Sequence, residues 1–578
     1  MFRKNNRHLQ PVLISNVNDL PEKHRKRLES SWAGVFYQET FCRLDERPFE
    51  VLYADFPSRP NIPVNVLVGL ESLKADFGWS DEELYDAFTY DMQVRYALGY
   101  QQLGEGDFDL RSLYYFRERV SRYMQEKGIN LIEKAFEQVT DQQIKAYQLK
   151  TGKQRMDSTQ IASNIREMSR LQLLVEILQR VHRMLKEEDQ KQYAEVFALF
   201  IEGHAGQYVY HLKGQDTSEH LQKIGELMQH LLVELQPNYN QEPVYQMLER
   251  VFGEHFRMEE KIVKTKVAKE LSASSLQSPD DLEATYREKG GKSHKGYVAN
   301  LTETCDPEND LQLLTKAQVG PNSVDDAKLM EEALPNLKER TGLETLYTDG
   351  GYGSPKADQT LRDNQVEQIQ TAIRGRAPNT EKLNLADFEI KRTEAGKPTQ
   401  ITCPQGQTVA VHPSSQKKGY VAHFDLTICQ ACPFDQKGCP AQPGKRDPRL
   451  HLNFSEQQAN MSQRRRRSLA CQKEGRNLRA AIEATVREIK HPFPASKMQV
   501  RGRFRVGCMV IGSALATNAR RIQRYLVAKT KLENVQKKAL KGQECLQDSY
   551  SVSFFNSFKA VFEAGLALFG LRKLCLSC

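Results

Sequence analysis

Three acidic side chains in this chain stand in settings suited to metal chemistry. Asp157 lies in the short segment QRMDSTQIA, which follows a Gly-containing turn and is predicted to be a strand. Asp349 follows the predicted strand TLYT and precedes the glycines of DGGYGSP, which let a phosphate backbone approach closely. Glu483 lies on a predicted helix. Mg²⁺ prefers hard oxygen ligands, and carboxylates that bridge two ions about 4 Å apart support phosphoryl transfer. Taken singly, each is equally consistent with an ordinary surface carboxylate.

The segment RNLRAAIEATVREIK around Glu483 has the spacing of an amphipathic helix. On such a helix one narrow stripe holds four charged residues, Arg476, Arg479, Glu483 and Lys490. An apolar stripe about 100° away is suited to pack against a sheet. Two interpretations fit the charged stripe. Arg479 can form an ion pair with Glu483 on a solvated surface, or Glu483 can bind metal while the cations bind phosphate.

Basic residues are concentrated near the carboxyl end. The whole chain of 578 residues carries a formal charge of only +8, an average that says little about partners. Between Arg464 and Lys541, however, basic residues greatly outnumber acidic ones, beginning with an RRRR run. A solvated surface explains a short run, whereas a run sustained this long favours a polyanion as partner.

Four of the eleven cysteines form a group: Cys403, Cys429, Cys432 and Cys439. A CPxG turn at Cys403 and a CxxC pair at Cys429 are similar to the metal-binding turns of zinc ribbons, so a structural Cys₄ zinc site is one interpretation. Four reduced thiols in a loop-rich insertion, or a stray redox pair, is the other. The remaining cysteines are scattered and are expected to be reduced.

The predicted secondary structure around these residues changes along the chain. Helical periodicity dominates from Val64 to Val139, with a predicted capping box at Ser80 and Glu83. A long helical stretch follows the strand at Asp157, and from Lys292 strands alternate with helices, which predicts a mixed α/β sheet. No run approaches the length of a membrane span, and the amino terminus lacks an apolar segment, so we expect a cytoplasmic protein with no membrane partner.

Three of these segments together resemble a known protein family. The pattern R-x3-E-x6-K, formed by Arg479, Glu483 and Lys490, resembles the helix signature of bacterial insertion-sequence transposases of the DDE type. In that family a Tyr precedes the Arg, whereas Arg476 stands at that position here. MDSTQIASN resembles the strand of the family's first Asp, and YTDGGYGS resembles the turn of its second. With the amino-terminal helices, the likeness extends from about Val64 to about Val527.

The resemblance implies a fold, a site and partners. The fold class is α/β, with an RNase H-like mixed sheet core, a helical amino-terminal domain, a helical insertion and a loop- and strand-rich insertion that contains the cysteines. Asp157, Asp349 and Glu483 would hold Mg²⁺ or Mn²⁺. Arg476, Arg479 and Lys490 would contact DNA. The partners would be double-stranded transposon ends and target DNA in the nucleoid, bound by a dimer because two ends must be joined.

The corresponding domains have these expected bounds: a helical DNA-binding domain at 1–150, the first part of the catalytic core at 151–164 and 286–378, a helical insertion at 165–285, a cysteine-containing insertion at 379–455, the last helices of the core at 456–545, and a tail at 546–578. Three functions remain open. The first is an active transposase that cleaves DNA and transfers strands. The others are an RNase H-like endonuclease without strand transfer and an inactive, transposase-derived DNA-binding protein.

Overall fold

The computed structural model of the chain describes residues 1–547 except the positions 11, 13–14, 57–59, 211, 374, 376–378, 380, 394–395, 415–418, 435–437, 445–448 and 474–476. The chain divides into two compact units, residues 1–521 and 522–578. Side chains are described through residue 536. The tail beyond 547, for which the sequence predicts an amphipathic helix, lies outside the described residues. None of the described helices combines the length and apolar character of a membrane span.

The first unit begins with α-helices, as the periodicity predicts. They are α1 (Glu22–Glu29), α2 (Trp32–Glu39), α3 (Val64–Phe77), α4 (Asp81–Tyr90), α5 (Met92–Ala97), α6 (Leu110–Lys127) and α7 (Leu131–Ala146). The predicted capping box is confirmed, because the Ser80 side chain accepts from the Glu83 backbone N–H and Glu83 accepts from that of Ser80. Asp109 likewise caps the start of α6.

A strand at Asp157 and a second helical region come next. The strand is β1 (Lys153–Ile161). The helical region contains α8 (Arg170–Met184), α9 (Glu187–Gln192), α10 (Ala194–Ile201), α11 (Ala205–Tyr210), α12 (Thr217–Tyr239) and α13 (Pro243–His255). It has its own apolar core. The helical prediction is wrong at its end, because Phe256–Glu259 (β2) and Ile262–Thr265 (β3) form an antiparallel hairpin.

The main sheet is mixed and contains β1 together with β4 (Thr285–Lys289), β5 (Lys292–Thr304), β6 (Leu314–Pro321), β7 (Thr345–Thr348) and β8 (Glu367–Gln370). Its order is β4-β5-β1-β7-β8, with β6 pairing β5. β5 is antiparallel to β1 and β6, whereas β7 is parallel to β1 and β8. The helices α14 (Asp326–Thr341) and α15 (Pro355–Asp363) connect β6 to β7 and β7 to β8. A mixed α/β sheet is therefore confirmed.

A second six-stranded sheet is formed by the region that contains the cysteines. Its members are β9 (Glu389–Arg392), β10 (Pro398–Thr402), β11 (Thr408–Pro413), β12 (Tyr420–Phe424), β13 (Gln442–Pro443) and β14 (Leu450–Phe454), with a short helix α16 (Leu426–Gln430). Three helices follow: α17 (Glu456–Lys473), α18 (Ile482–Lys490) and α19 (Arg503–Gln547).

The main sheet is covered on both faces within the first unit. One face packs against the amino-terminal helices, the end of α18 and the start of α19, in a cluster that includes Leu70, Leu301, Ile489 and Val510. The other face packs against α14 and α15. Eight of the nine residues of β1 are therefore shielded at least in part, so the strand lacks the alternation of a half-exposed strand.

Candidate active site

Asp157, in the middle of β1, and Asp349, directly after the end of β7, lie on neighbouring parallel strands. β1 pairs with β7 in a register that places Arg155 opposite Tyr347. Extending both strands by two residues brings Asp157 next to Asp349, on the same face as the Arg155–Tyr347 pair. Electrostatics agree with this arrangement. Burial raises the pKa of the Asp157 carboxyl, and the neighbouring carboxylate of Asp349 raises it further.

The two carboxylates are held in different ways. The Oδ1 atom of Asp157 accepts a hydrogen bond of 2.9 Å from the Ser158 backbone N–H. The Oδ1 atom of Asp349 accepts one of 2.7 Å from the backbone N–H of Gly351 and so caps a single 3₁₀ turn, Gly350–Tyr352. Backbone donors fix both carboxylates in place, which lowers the entropy lost when a ligand binds between them.

The turn after Asp349 leaves little room for a side chain at position 353. A Cβ on Gly353 would lie only 2.8 Å from the Nη1 atom of Arg464 and equally close to the Nε2 atom of Gln370. Gly351 is buried. Packing therefore explains glycine at 353 without a ligand, and the close approach of a phosphate remains a prediction for this turn.

Arg479 contacts the first aspartate directly. Its Nη2 atom lies 2.8 Å from the Oδ2 atom of Asp157, and both side chains are largely buried. The surface ion pair between Arg479 and Glu483 does not form. Arg479 also lies in the turn before α18, which begins only at Ile482, so the predicted helix starts too early. The Nε atom of Arg479 is buried and has no hydrogen-bond partner among the described residues.

The other members of the predicted charged stripe are spread out. Glu483 is exposed in the first turn of α18, and Lys490 is the half-buried last residue of that helix. Arg476 lies outside the described residues. In the described parts of the chain no three His, Cys, Asp or Glu side chains form a group arranged to hold a metal ion. Glu483 thus does not join the aspartate pair in this structure.

A buried ion network, which the sequence analysis missed, fixes α18 against the strand of Asp157. Glu303 of β5 is fully buried and lies opposite Arg155 of β1. Its carboxylate accepts from Arg155 Nε at 2.6 Å, from Arg521 Nη1 at 2.6 Å and from Thr485 Oγ1 at 2.7 Å. Arg155 also donates to the backbone oxygen of Leu478, just before α18, at 2.8 Å. The signal in the sequence was a glutamate inside the otherwise uncharged strand segment GYVANLTET.

The four cysteines converge at one side of the second sheet. Burial raises the pKa of the Cys429 thiol, and Cys439, Cys403 and Cys432 each raise it further, so all three lie near it. Cys403 follows β10 in a tight turn, since the Gly406 N–H donates to its carbonyl oxygen at 2.9 Å. Cys403, Cys429 and Cys432 form no disulfide in this structure. The grouping matches the predicted set, although their present arrangement is not that of a formed metal site.

Comparison with known families gives one match. Residues 402–523 match a family model described as a transposase DDE domain. This match supports a DDE-type transposase. No curated protein and no solved structure matches the chain. The matched segment contains the cysteine group, Arg479, Glu483 and Lys490, and it begins after both aspartates, which are therefore supported by the sheet register alone.

Transposases of the DDE type generally use divalent metal ions. This chain brings together two of the three carboxylates expected to bind such an ion. Asp157 and Asp349 offer hard oxygen ligands side by side, and their mutual repulsion is the kind that a shared cation relieves. Arg479 now supplies that compensation through its ion pair with Asp157. The aspartate pair thus fits Mg²⁺ or Mn²⁺, whereas the exposed Glu483 does not belong to the same group here.

Proposed function

We propose that this protein binds the ends of its insertion sequence and catalyses metal-dependent DNA cleavage and strand transfer on an RNase H-like core. The observation that supports the proposal is the parallel register of β1 and β7, which, continued by two residues, brings Asp157 beside Asp349. The strand order β6-β5-β1-β7-β8, with only β5 antiparallel, is compatible with such a core. The family match adds transposase activity in general.

In the proposed mechanism, Asp157 and Asp349 hold the metal, and Glu483 is the third ligand. The metal would activate a water or a 3′-hydroxyl and stabilise the leaving oxygen. Glu483 lies only four residues after Arg479, and Arg479 contacts Asp157. This closeness in sequence supports Glu483 as the third ligand. Arg479 would bind a phosphate oxygen with its guanidinium group, next to the aspartate that it already contacts.

The direct test uses purified full-length protein, DNA that carries the ends of the element, and Mg²⁺. Cleavage followed by joining to target DNA is the expected result, carried out by a dimer because two ends react together. Cleavage without joining would instead identify an RNase H-like endonuclease. Binding without cleavage would identify an inactive, transposase-derived DNA-binding protein. A parallel reaction with EDTA separates metal-dependent cleavage from contaminating activity.

Replacing Arg479 or Lys490 with alanine is expected to slow cleavage sharply. Each change should also flatten the dependence of end binding on salt by about one unit of log–log slope, because one phosphate contact is lost. Cleavage rates and titrations at several salt concentrations measure both effects. Arg487→Ala is the matched control, because Arg487 is exposed on the same helix and serves no proposed role. Equal behaviour of all three variants would make the charged residues an ordinary solvated surface.

We also propose that Cys403, Cys429, Cys432 and Cys439 hold one structural Zn²⁺, which thiolates bind tetrahedrally. Elemental analysis of protein purified without chelators should find about one zinc per chain, because a closed site of four thiolates binds the metal tightly. Cys429→Ser should lose it. Cys42→Ser, which changes an exposed cysteine among the amino-terminal helices, should retain it. Wild-type protein without zinc would refute this site.

A further inference from the structure

The hairpin formed by β4 and β5 places like charges directly opposite each other. Its register pairs Lys289 with Lys292 and Arg287 with His294, and directly opposite residues of antiparallel strands share one face. Of these four, Arg287 has an acidic partner, Asp326, at 3.3 Å. Within the described residues neither lysine has a carboxylate at ion-pair distance, and both are exposed. The two lysines placed opposite each other repel, and a bound anion would relieve that repulsion.

The tip of this hairpin lies closer to Asp157 than a straight continuation of β5 would place it. Asp157 lies opposite Leu301 on β5, and Lys292 lies nine residues before Leu301. A straight strand would separate those positions by about 30 Å. Burial raises the pKa of the Asp157 carboxyl, and Lys289 is among the cations that oppose this rise, so Lys289 lies closer to Asp157 than a straight strand would allow. Between Lys292 and Leu301 lies Gly296, whose φ of +133° suits glycine and whose Cβ, if present, would lie 2.4 Å from the Ile161 backbone oxygen.

Contacts at the base of the hairpin hold it in this position. Arg287 Nη1 is bonded to Asp326 at the start of α14 and donates to the Val324 backbone oxygen, each at 3.3 Å. The Nδ2 atom of Asn322 donates to the backbone oxygen of His294 at 3.2 Å. The loop between β6 and α14 thus anchors the hairpin, while its tip remains open, since nothing lies within 4 Å of a Cβ built on Gly290 or Gly291.

The end of α18 contributes to the same cationic surface. Burial lowers the pKa of Lys490, and Lys289 lowers it further, so the two lysines lie in the same neighbourhood. Lys490, Lys289, Lys292 and Arg287 also lower the pKa of His294, after burial, which is the largest effect. The β4–β5 hairpin and the end of α18 are far apart in sequence, but their basic side chains lie in one neighbourhood, near the carboxylates of the candidate active site.

We propose that Lys289 and Lys292 at the tip of the β4–β5 hairpin bind consecutive phosphates of the DNA strand that enters the site of Asp157 and Asp349. This inference rests on the proposed function and adds a DNA contact outside the α18 pattern. An extended strand of phosphates matches the spacing of two lysines on an exposed hairpin better than a single anion does, because each lysine acts as a separate point charge. The open glycine tip leaves room for the sugar-phosphate backbone.

The test compares the double variant Lys289→Ala/Lys292→Ala with wild-type protein in binding to end DNA over a range of salt concentrations. The double variant should reduce the log–log slope by about two units, since two phosphate contacts disappear. Lys223→Ala is the control, because Lys223 is exposed on α12 and already has an acidic partner, Glu219, at 2.6 Å. An unchanged slope in the double variant would overturn the inference.

A second measurement does not depend on substitutions. Lys289 and Lys292 of wild-type protein should be protected from acetylation by end DNA, as quantified by mass spectrometry, whereas Lys223 should stay reactive. Full reactivity of both lysines in DNA-bound protein would refute the hairpin contact while leaving the proposed function standing. If wild-type protein neither binds nor cleaves end DNA, the proposed function itself fails. Protection by an acidic peptide but not by DNA would identify a protein partner and also refute this inference.

Discussion

Replacing Asp157 or Asp349 with asparagine is expected to lower DNA cleavage by several orders of magnitude and to leave binding of end DNA intact. Each substitution keeps the size of the side chain but removes the charge that a divalent ion requires. Because the two carboxylates are adjacent, the loss of either one leaves a single aspartate to hold the ion, and Asp157→Asn also removes the ion pair with Arg479. Cleavage of labelled end DNA in Mg²⁺ measures the first effect, and titration in Ca²⁺ measures binding separately.

The same assay decides the role of Glu483. Glu483→Gln should also abolish cleavage if Glu483 is the third ligand, although it is exposed in this structure. Asp363→Asn is the control, since Asp363 is an exposed carboxylate at the end of α15. Near-normal cleavage by Glu483→Gln would remove Glu483 from the site. Near-normal cleavage by either aspartate variant would refute the proposed active site itself.

The Glu303→Gln substitution is expected to cause the largest loss of stability of any single change considered for this chain. It would leave the buried guanidinium of Arg155 without a carboxylate and Arg521 with Glu488 alone, and breaking a buried ion pair costs about 3 to 5 kcal/mol in unfolding free energy. The hydrogen bond that Thr485 donates to Glu303 would also be weakened. Urea-induced unfolding, followed by tryptophan fluorescence and circular dichroism, would give the change in midpoint.

Glu308→Gln provides the matched control for this prediction. Glu308 forms an exposed ion pair with Lys150, and such surface pairs contribute about 0 to 1 kcal/mol. A shift in midpoint for Glu303→Gln no larger than that for Glu308→Gln would show that the buried network contributes little. The second variant Arg155→Met/Glu303→Leu, which removes two charges together, should be more stable than Glu303→Gln because fewer groups stay unpaired.

Local sequence patterns determined much of this fold. The helix start at Ser80 was predictable because a capping box satisfies its own backbone donors with residues three positions apart. The strands at Asp157 and Asp349 were predictable from equally local signals, since both are short segments bounded by glycine-containing turns. The prediction of a helix through Arg479 was wrong because helical spacing of charges does not reveal where the first turn begins.

Tertiary structure decided how the candidate site is assembled. The adjacency of Asp157 and Asp349 depends on the parallel register of β1 and β7, which pairs strands nearly 200 residues apart and has no local signature. The pairing of Arg479 with Asp157, and not with Glu483, follows from a buried carboxylate's greater need for a counter-charge. The proximity of Lys289 to Asp157 likewise has no local signature, because it depends on how β4 and β5 fold relative to β1.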